Sequence, residues 1–420
     1  MSAHPPTRNS LSFIFVTVAL EAMGIGLIVP VLPSLLTEIS GSGLSDAARW
    51  GGLLTFIYAL MQFLFGPALG NLSDHLGRRP VLLTSLFVLA IDYVIMAVAG
   101  SLALLIFGRM LAGICGATFS VASAFIADVS SKEDRAKNFG LIGAAFGVGF
   151  IIGPALGGLL GEFGARAPFI AAAVLTFVNF LFGYFVLPET LTAGNRRPFS
   201  LQRANPLGAL RQLMSIPTLG MLLASVLLFD LAHYVYPSIW SYFAAETFHW
   251  SPGEIGVSLA VVGVGFAVVQ GYIIRVIEPK IGAKRTLYLS LLCNLIAFVA
   301  LSVVTTGLVA YAFFPFSALG AMATPAYSGL MSNMVADDQQ GELQGMLSSV
   351  TGIGMIITPV ATTQLFAVFT APGAAIYFPG APFALSAILI ILAAVCAVIG
   401  LTPTHKTKLH EAADSKDQTS

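Results

Sequence analysis

Three ionisable side chains interrupt apolar stretches in the first half of the chain. Glu21 lies within LSFIFVTVALEAMGIGLIVPVLPSLL, residues 11–36, Asp92 within AIDYVIMA, and Arg109 within LIFGRMLAGICGA. A charge at the centre of a membrane costs at least ~2.5–3.5 kcal/mol on insertion scales, so such residues usually line a cavity or pair with each other. A buried carboxylate that takes up and releases a proton would suit a proton carrier. The alternative for each residue is a static acid–arginine pair that holds helices together.

The second half has fewer candidates of this kind. Asp230 and His233 are three residues apart, so in a helix they share one face and could hydrogen-bond or relay a proton. An interfacial position without any transport role is the alternative for both residues.

The elements that must position these side chains are membrane helices. Of the 420 residues, 57% are hydrophobic and only 10% are charged, whereas a soluble chain of this length would need far more charged surface. A bilayer core takes about 20 helical residues. Twelve suitable runs predict an all-α membrane protein, and we number them as spans 1 to 12: 12–36, 51–70, 81–99, 102–127, 139–161, 168–187, 218–243, 256–274, 286–304, 308–334, 343–369 and 376–401.

The first run is too long for a signal peptide and lacks a small-residue cleavage site, so we expect a retained helix. The three cysteines, Cys115, Cys293 and Cys396, lie in spans without CxxC spacing. Neither a disulfide framework nor a metal site is indicated, and no cofactor is expected.

The distribution of positive charge predicts the orientation. With the N-terminus in the cytoplasm, all but three of the 20 Lys and Arg residues fall in cytoplasmic segments. Arg49 and Arg166 then face outward, and Arg109 lies within a span. Since cytoplasmic loops carry the excess of Lys and Arg, both termini are expected to be cytoplasmic.

The chain also repeats itself at an offset of 205 residues. Leu76-Gly77 aligns with Ile281-Gly282, Arg79 with Lys284, and four small residues of span 5 with their counterparts in span 11: Gly140 with Gly345, Gly147 with Gly352, Gly149 with Gly354 and Pro154 with Pro359. Six spans followed by six more in the same orientation form a parallel repeat. We expect halves at 1–187 and 218–402, a cytoplasmic linker at 188–217 and a cytoplasmic tail at 403–420.

Two six-helix halves that face each other enclose a central cavity near the membrane midplane. Rocking one half against the other exposes that cavity to each side in turn, which is typical of transporters.

The strongest local motif is GNLSDHLGRRPVLL, residues 70–83, between spans 2 and 3. Gly70 and Gly77 permit close approach and a tight turn. Asp74 and Arg78 can form a charge-assisted pair at the membrane edge that holds one gate state, with Arg79 beside them. A merely solvated turn is the alternative, because surface salt bridges contribute only ~0–1 kcal/mol.

The repeat copy of this motif, IEPKIGAKRTLY, keeps Gly282, Lys284 and Arg285. It has Pro279 where Asp74 stands, so a switch there must use another partner, for which Glu278 is a candidate. Asp128, near the end of span 4, is expected to be structural.

Span 5 carries GVGFIIGPALGG, residues 147–158. Its small residues let helix backbones approach closely in lipid, and Pro154 removes a backbone donor, which kinks a helix. Such a seam could separate the two sides of the membrane, and ordinary tight packing is the alternative. The residues concerned are Gly149, Gly153, Pro154, Gly157 and Gly158.

These motifs resemble those of the major facilitator superfamily. The 70–83 loop is similar to its loop signature, the stretch around Arg109 to its span 4 motif, and the span 5 motif to that of its drug/proton antiporters. More narrowly, the resemblance is to tetracycline/proton antiporters, carried by LEAMGIGLIVPVLP, AIDYVIMA, FIADVSSKEDRAKNFG and SIWSYFAAETFHW.

The resemblance implies roles for several residues. It places Glu21 where the antiporters carry a span 1 aspartate, Asp92 on their span 3 aspartate and Arg109 on their span 4 arginine. Gln270 in span 8 matches a polar position of the family. In span 9, however, the antiporters carry a further acid where this chain reads Leu292-Cys293-Asn294-Leu295, which weakens the expectation of a metal-bound tetracycline as substrate.

We therefore expect a proton-driven exporter of a drug-like molecule, with tetracycline as a candidate, in the bacterial inner membrane, with substrate, protons and lipid as its partners. We expect a monomer that does not bind nucleic acid. A metabolite transporter, proton-coupled or facilitative, would share the fold. An enzyme or ATP-driven pump is disfavoured because no P-loop, HExxH or nucleophile elbow is present.

Overall fold

The computed structural model describes residues 8–116, 118–131, 134–191, 194, 196–200, 219–336 and 339–402. Every regular element in this part of the chain is helical. The expected linker beyond residue 200 and the tail beyond residue 402 lie outside the described residues.

The described helices form the twelve expected spans. Eleven are long and apolar enough to cross a membrane, and a bent helix pair at the N-terminus makes the twelfth. The spans are Arg8–Ile28 with Leu32–Ser40, Leu44–Leu76, Arg78–Val98, Leu102–Val129, Arg135–Gly161, Ala167–Val186, Gly220–Phe248, Pro252–Ile281, Ala283–Val303, Gly307–Ser332, Gln340–Thr370 and Ala381–Gly400. The predicted all-α membrane fold is confirmed.

Every third span is interrupted. Span 1 bends by 51° before Leu32–Ser40, and span 4 divides into Leu102–Cys115 and Thr118–Val129. Span 7 divides into Gly220–His233 and Val235–Phe248, and span 10 into Gly307–Gly320 and Ala323–Ser332. The same two positions are thus interrupted in each half, as a repeat requires. Interrupted helices at membrane depth occur where the freed backbone groups are buried in protein or line a cavity.

The sequence accounts for the position of each interruption. Pro30 lies in the bend of span 1 and Gly116 at the break of span 4, while Pro237 and Pro325 lie in the first turn after the breaks of spans 7 and 10. Proline lacks the backbone donor that would continue the preceding helix, although it is tolerated in a first turn. Span 8 stays continuous but contains a π-helical turn, Val269–Ile273.

The two halves meet at one end of the bundle, which we call the closed end. There span 5 packs against span 8, and a Cβ added to Gly158 would lie 2.9 Å from the Gly256 Cα. Span 2 packs against span 11 at Gly52, where a side chain would overlap that of Thr363. Backbone contact without intervening side chains therefore joins the halves at span 5.

One hydrogen bond of the closed end also crosses between the halves. The Gly253 N–H, in the first turn of span 8, donates to Glu162 Oε1 of the first half at 2.8 Å. The same helix end carries its own capping box, formed by Ser251 and Glu254. Glu162 thus adds a second carboxylate at a helix N-terminus, where negative charge is favoured.

We call the other end of the bundle, which carries the turns at Gly77 and Gly282, the open end. Glycines near the starts of spans 5 and 11 have no described atom within 4 Å of where a Cβ would lie: Gly140, Gly143, Gly147, Gly341 and Gly345. Further along the same helices, Gly149 contacts span 1 and Gly354 contacts span 7. From these uncovered glycines we infer that the gap between the halves opens at the end that carries the turns at Gly77 and Gly282.

Candidate functional site

Asp92 of span 3 and Arg109 of span 4 form a buried ion pair in the first half. The Asp92 side chain is completely buried. Gly108 makes the approach of the two spans possible, because a Cβ at that position would lie 2.7 Å from Asp92 Oδ1. Of the two acids that could neutralise Arg109, the structure therefore pairs it with Asp92.

Glu21 of span 1 lies beside this pair but is not part of it. Its polar neighbour is the hydroxyl of Thr118, the first residue of span 4 after the break. Its Oε2 atom is buried without a hydrogen-bond partner. In the described part of the chain, no Lys, Arg or His nitrogen lies within 4 Å of its carboxylate. The structure thus separates Glu21 from the static pair.

Span 2 contributes two polar residues that the sequence analysis missed. The Arg109 guanidinium lies over the Tyr58 ring, 5.5 Å from its centroid, which is a cation–π arrangement. Gln62 Nε2 donates to the Gly116 carbonyl at 2.7 Å. That carbonyl is free because span 4 breaks at Gly116. A prediction of this break from the sequence could therefore have indicated that a polar side chain such as Gln62 binds there.

The second half places Asp230 and His233 in different surroundings. Asp230 Oδ2 accepts a hydrogen bond from Thr351 Oγ1 of span 11 at 2.8 Å. The polar neighbour of the His233 ring is Asn294 of span 9. Span 7 ends its first helix at His233, and no bond between Asp230 and His233 occurs among the described residues. Direct proton transfer between them, one of the expectations from their spacing, is not supported by this geometry.

Aromatic rings surround His233. Its ring stacks on Phe229 at a centroid distance of 5.3 Å, with Tyr236 at 5.5 Å and Phe266 of span 8 at 6.0 Å. Asn294, also buried, donates to the Gly320 carbonyl at 3.1 Å, at the break of span 10. The second half therefore places stacked aromatic rings and neutral hydrogen-bonding groups at the breaks of spans 7 and 10.

Gln270 lies in the π-helical turn of span 8 and is exposed. Single π-helical turns within α-helices are frequently found at functional sites. The structure thus places this polar side chain on an irregular stretch of span 8.

The loop motif holds a network of ion pairs at the open end. Arg78 Nη1 lies 2.6 Å from Asp74 Oδ1, and Arg78 Nε lies 3.0 Å from Asp128 Oδ2. The same Nη1 donates to Ser73 Oγ at 2.7 Å. Arg78 is buried, so the network ties the ends of spans 2, 3 and 4 together more firmly than an exposed pair would.

Glu189, which the sequence analysis missed, caps the start of span 3. It accepts hydrogen bonds from the backbone N–H groups of Arg78 at 2.9 Å and Arg79 at 3.2 Å. Arg79 also donates to the Tyr184 carbonyl at 2.7 Å. Gly77 has a φ of 115°, and a Cβ there would lie 2.6 Å from Glu189 Cδ, so both the turn and the cap require glycine.

The expectation that Gly70 permits a close approach and a tight turn was wrong. Gly70 lies inside the span 2 helix, and an added Cβ would meet no described atom within 4 Å. Span 2 continues to Leu76 and span 3 begins at Arg78, so Gly77 alone forms the turn. The span 2 helix thus extends beyond the apolar run and includes the polar residues at the start of the motif.

The repeat copy of the loop lacks such a network. In the described part of the chain, Glu278 forms no ion pair with Lys284 or Arg285 within 4 Å. Lys284 Nζ donates instead to the Leu401 carbonyl at 3.1 Å.

The span 5 glycines face two partners. Gly149, Gly153 and Gly157 pack against span 1, where a Cβ would overlap its backbone. Gly158 packs against span 8 in the other half, and the helix runs without a break through Pro154. One motif thus joins span 1, which carries Glu21, to the contact between the halves.

The sequence profile of the Major Facilitator Superfamily matches residues 14–234 and 222–419. The tetracycline resistance protein, class C, of Escherichia coli is 42% identical over 86% of this chain and 90% of its own length. The class G protein of Vibrio anguillarum is 40% identical over 86% and 91%. Multidrug resistance protein 2 of Bacillus subtilis (strain 168) is 29% identical over 82% and 85%.

Solved structures share the fold at lower identity. The human organic anion transporter MFSD10 (TETRAN) superposes with a TM-score of 0.67 at 23% identity, covering 94% of this chain and all of the other. A bacterial homolog of the human lysosomal transporter Spinster, in an inward-facing and unoccupied conformation, gives 0.74 at 17% identity, covering 93% and 95%.

Proposed function

Since the chain belongs to the Major Facilitator Superfamily, we propose that it exports a drug-like small molecule in exchange for protons, with tetracyclines as the first candidates. Membership of this superfamily makes it a transporter and not an enzyme. The relatives named for tetracycline and multidrug resistance support drug export across the bacterial inner membrane.

The proposal of proton coupling rests on how the charges of Glu21, Asp92 and Arg109 are paired. Arg109 is neutralised by Asp92, which leaves Glu21 with a hydroxyl neighbour and a buried oxygen that has no partner. A carboxylate in this position can be neutralised by a proton or by a cationic group of a substrate. Competition between the two at Glu21 would couple their movements in opposite directions.

The mechanism that we propose is alternating access. Substrate enters from the open end, and protonation of Glu21 follows once the cavity faces the other side. The closed end must then separate at the contacts of span 5 with span 8 and of span 2 with span 11. The Asp74–Arg78–Asp128 network stabilises the arrangement at the open end and is rearranged during the cycle.

The remaining site residues are assigned to recognition. His233, with its aromatic neighbours, would stack on a planar ring system of the substrate. Asp230 and Gln270 would supply further hydrogen bonds or a second proton site. The buried Asn294 is neutral, which favours substrates that do not require a carboxylate-bound metal ion at this position.

The positive-inside distribution supports an orientation in which the open end faces the cytoplasm. The turns at Gly77 and Gly282 then lie on the cytoplasmic side, as do both termini. We propose two halves, 1–187 and 218–402, joined by the linker 188–217, that work as a monomer.

Transport by the purified full chain in proteoliposomes would test this function. Tetracycline, a quinolone, a phenicol and a cationic dye would each be offered with an imposed pH gradient, and separately with ATP but no ion gradient. We expect movement of at least one compound against its own gradient, driven by pH alone. Full activity with ATP alone would exclude proton coupling, while movement only down the substrate gradient would favour a facilitative metabolite transporter.

A susceptibility profile in pump-deleted bacteria that express the chain identifies the substrate. Protection against tetracyclines alone would place it with the tetracycline exporters in substrate range. Protection against dyes and quinolones without tetracycline would place it with the multidrug exporters.

A further inference from the structure

A groove lies on the outer face of the second half, between spans 9 and 12. Its cavity volume is about 420 Å³, and it is lined by side chains of both spans, among them Tyr288, Leu292, Ala394 and Val398. Nearly all of these side chains are aliphatic, and the groove is remote from the gap between the halves. It lies in the part of the bilayer nearest the open end, where span 9 begins and span 12 ends.

In the first half, aromatic rings occupy the place that is equivalent to this groove. Spans 3 and 9 both follow a turn glycine at the offset of 205, so Phe87 corresponds to Leu292. Spans 6 and 12 both begin with Ala-Pro-Phe and run for 20 residues, so Phe180 corresponds to Ala394. Phe87 and Phe180 pack with ring centroids 5.3 Å apart.

A third ring extends this cluster toward the open end. Tyr184 lies 6.3 Å from Phe180, centroid to centroid, and corresponds to Val398. The smaller residues of the second half leave open the space that the rings fill in the first.

Two cationic side chains, Lys284 and Arg285, lie where the groove reaches the open end of the bundle. Lys284 lies over the Tyr288 ring at 6.0 Å, and its Nζ bonds to the Leu401 carbonyl at the end of span 12. Arg285 is exposed and precedes Tyr288 and Leu292 by three and seven residues, which places it on the same helix face.

Arg78 itself corresponds to Ala283, and neither of these cations has carboxylate partners of the kind that Arg78 has in the first half. The residues that correspond to Asp74 and Asp128 are Pro279 and Asn333. No carboxylate lies within 4 Å of Lys284 or Arg285 in the described part of the chain. An aliphatic groove with an uncompensated positive mouth at the membrane surface is complementary to a lipid with a negative headgroup.

We propose that the groove holds one acyl chain of an anionic phospholipid, whose phosphate is bound by Lys284 and Arg285. The lipid would fill the surface of the second half as Phe87 and Phe180 fill that of the first. This proposal does not depend on the transported substrate or on the direction of transport.

Native mass spectrometry of the full chain in detergent tests the site, with dioleoyl phosphatidylglycerol and dioleoyl phosphatidylcholine as probes. We expect the wild-type chain to retain phosphatidylglycerol more tightly than phosphatidylcholine.

The double variant Lys284→Gln/Arg285→Gln should bind phosphatidylglycerol with an affinity roughly tenfold lower or more, because each cation near the surface contributes to the attraction of an anionic headgroup. Arg196→Gln, which removes an exposed cation at the same end of the first half, is the matched control and should retain wild-type affinity.

The chain-binding part is tested by Ala394→Phe, which introduces the ring found at Phe180 in the first half. Both lipids should then be retained less, and a normal thermal unfolding temperature would show that folding is intact. If Ala394→Phe does not fold, Val398→Tyr is the replacement variant, because it introduces the ring of Tyr184 at the corresponding position. Wild-type retention of phosphatidylglycerol by the double variant would overturn the proposal. Unchanged retention of both lipids by a folded groove variant would also overturn it, because the acyl chain would then not lie in the groove.

Discussion

The two halves of the molecule share a backbone plan but differ in the polar chemistry that they carry. Both interrupt their first and fourth spans and both turn at a glycine after the second, Gly77 and Gly282. The first half then buries a charged pair, Asp92 with Arg109, and a separate acid, Glu21. A duplicated scaffold thus retains the features that position helices, while the groups placed on them diverge.

The second half relies mainly on neutral hydrogen bonds. Tyr236 and Ser317 share one at 2.7 Å, and Ser225 Oγ donates to the Ala393 carbonyl at 2.6 Å. Asp230, which is half-buried, accepts a hydrogen bond from a threonine hydroxyl. This difference fits the proposed roles of the two halves. The first half would exchange protons, and the second would recognise the substrate by shape and hydrogen bonding.

Neutralising Glu21 should have the largest effect, because we propose that it is the residue that exchanges the proton. Glu21→Gln should fold and bind a neutral or cationic substrate but lose pH-driven uphill transport at least tenfold, whereas Glu21→Asp should keep part of it. Proteoliposome transport and thermal unfolding are measured on the same preparation. Asp230→Asn, the matched change in the second half, should reduce coupled transport much less. Wild-type coupling in Glu21→Gln would contradict the assignment and shift attention to Asp92.

Breaking the buried pair should chiefly affect folding. Asp92→Asn leaves Arg109 buried without its counter-ion, which should cost ~3–5 kcal/mol of stability, and Asp92→Asn/Arg109→Gln should recover part of it. Thr351→Val removes one hydrogen bond of the second half, for which about 1 kcal/mol is expected. Unfolding temperatures in detergent provide the comparison. Equal losses for the two single variants would mean that the halves do not differ as described.

The loop network should affect rate and not affinity, because it lies at the open end and away from the midplane. Asp74→Asn weakens the Asp74–Arg78 pair and should lower the transport rate several-fold, while substrate binding to the solubilised protein stays nearly unchanged. Pro279→Ala, at the corresponding position of the second half, should leave the rate close to wild type. A large loss of affinity with a normal rate would refute the gating role of Asp74.

The smallest effect is expected at the cap of span 3. Glu189→Gln keeps the size of the side chain but removes the charge that faces the helix N-terminus, which should cost about 0.3–1 kcal/mol. A slightly lower unfolding temperature with unchanged coupling is the expected result. A loss of coupling would show that Glu189 belongs to the transport cycle and is more than a cap.

The sequence predicted the spans well because membrane helices depend on composition and length, which are local properties. It also predicted the contact of Asp74 with Arg78, since four residues separate them on one helix face. It could not choose between Glu21 and Asp92 as the partner of Arg109, because that depends on how closely spans 3 and 4 approach at Gly108.

The remaining contacts depend on features that no local pattern encodes. Glu189 reaches the start of span 3 from more than 100 residues away. Gln62 binds a carbonyl that is free only because span 4 breaks at Gly116. The different neighbours of Asp230 and His233 follow from the packing of spans 9 and 11 around span 7, which their spacing in the sequence does not reveal.

The glycine contact between Gly158 and Gly256 has a kinetic consequence. Interlocked side chains would have to leave their rotamers each time the halves part, whereas two glycines have no side-chain freedom to lose or regain. The two backbones can therefore part without a rotamer change at this contact, and the nearby Gly253–Glu162 hydrogen bond must break as they do. We expect this bond to be one of several contacts that determine how long the closed end stays shut in each turnover.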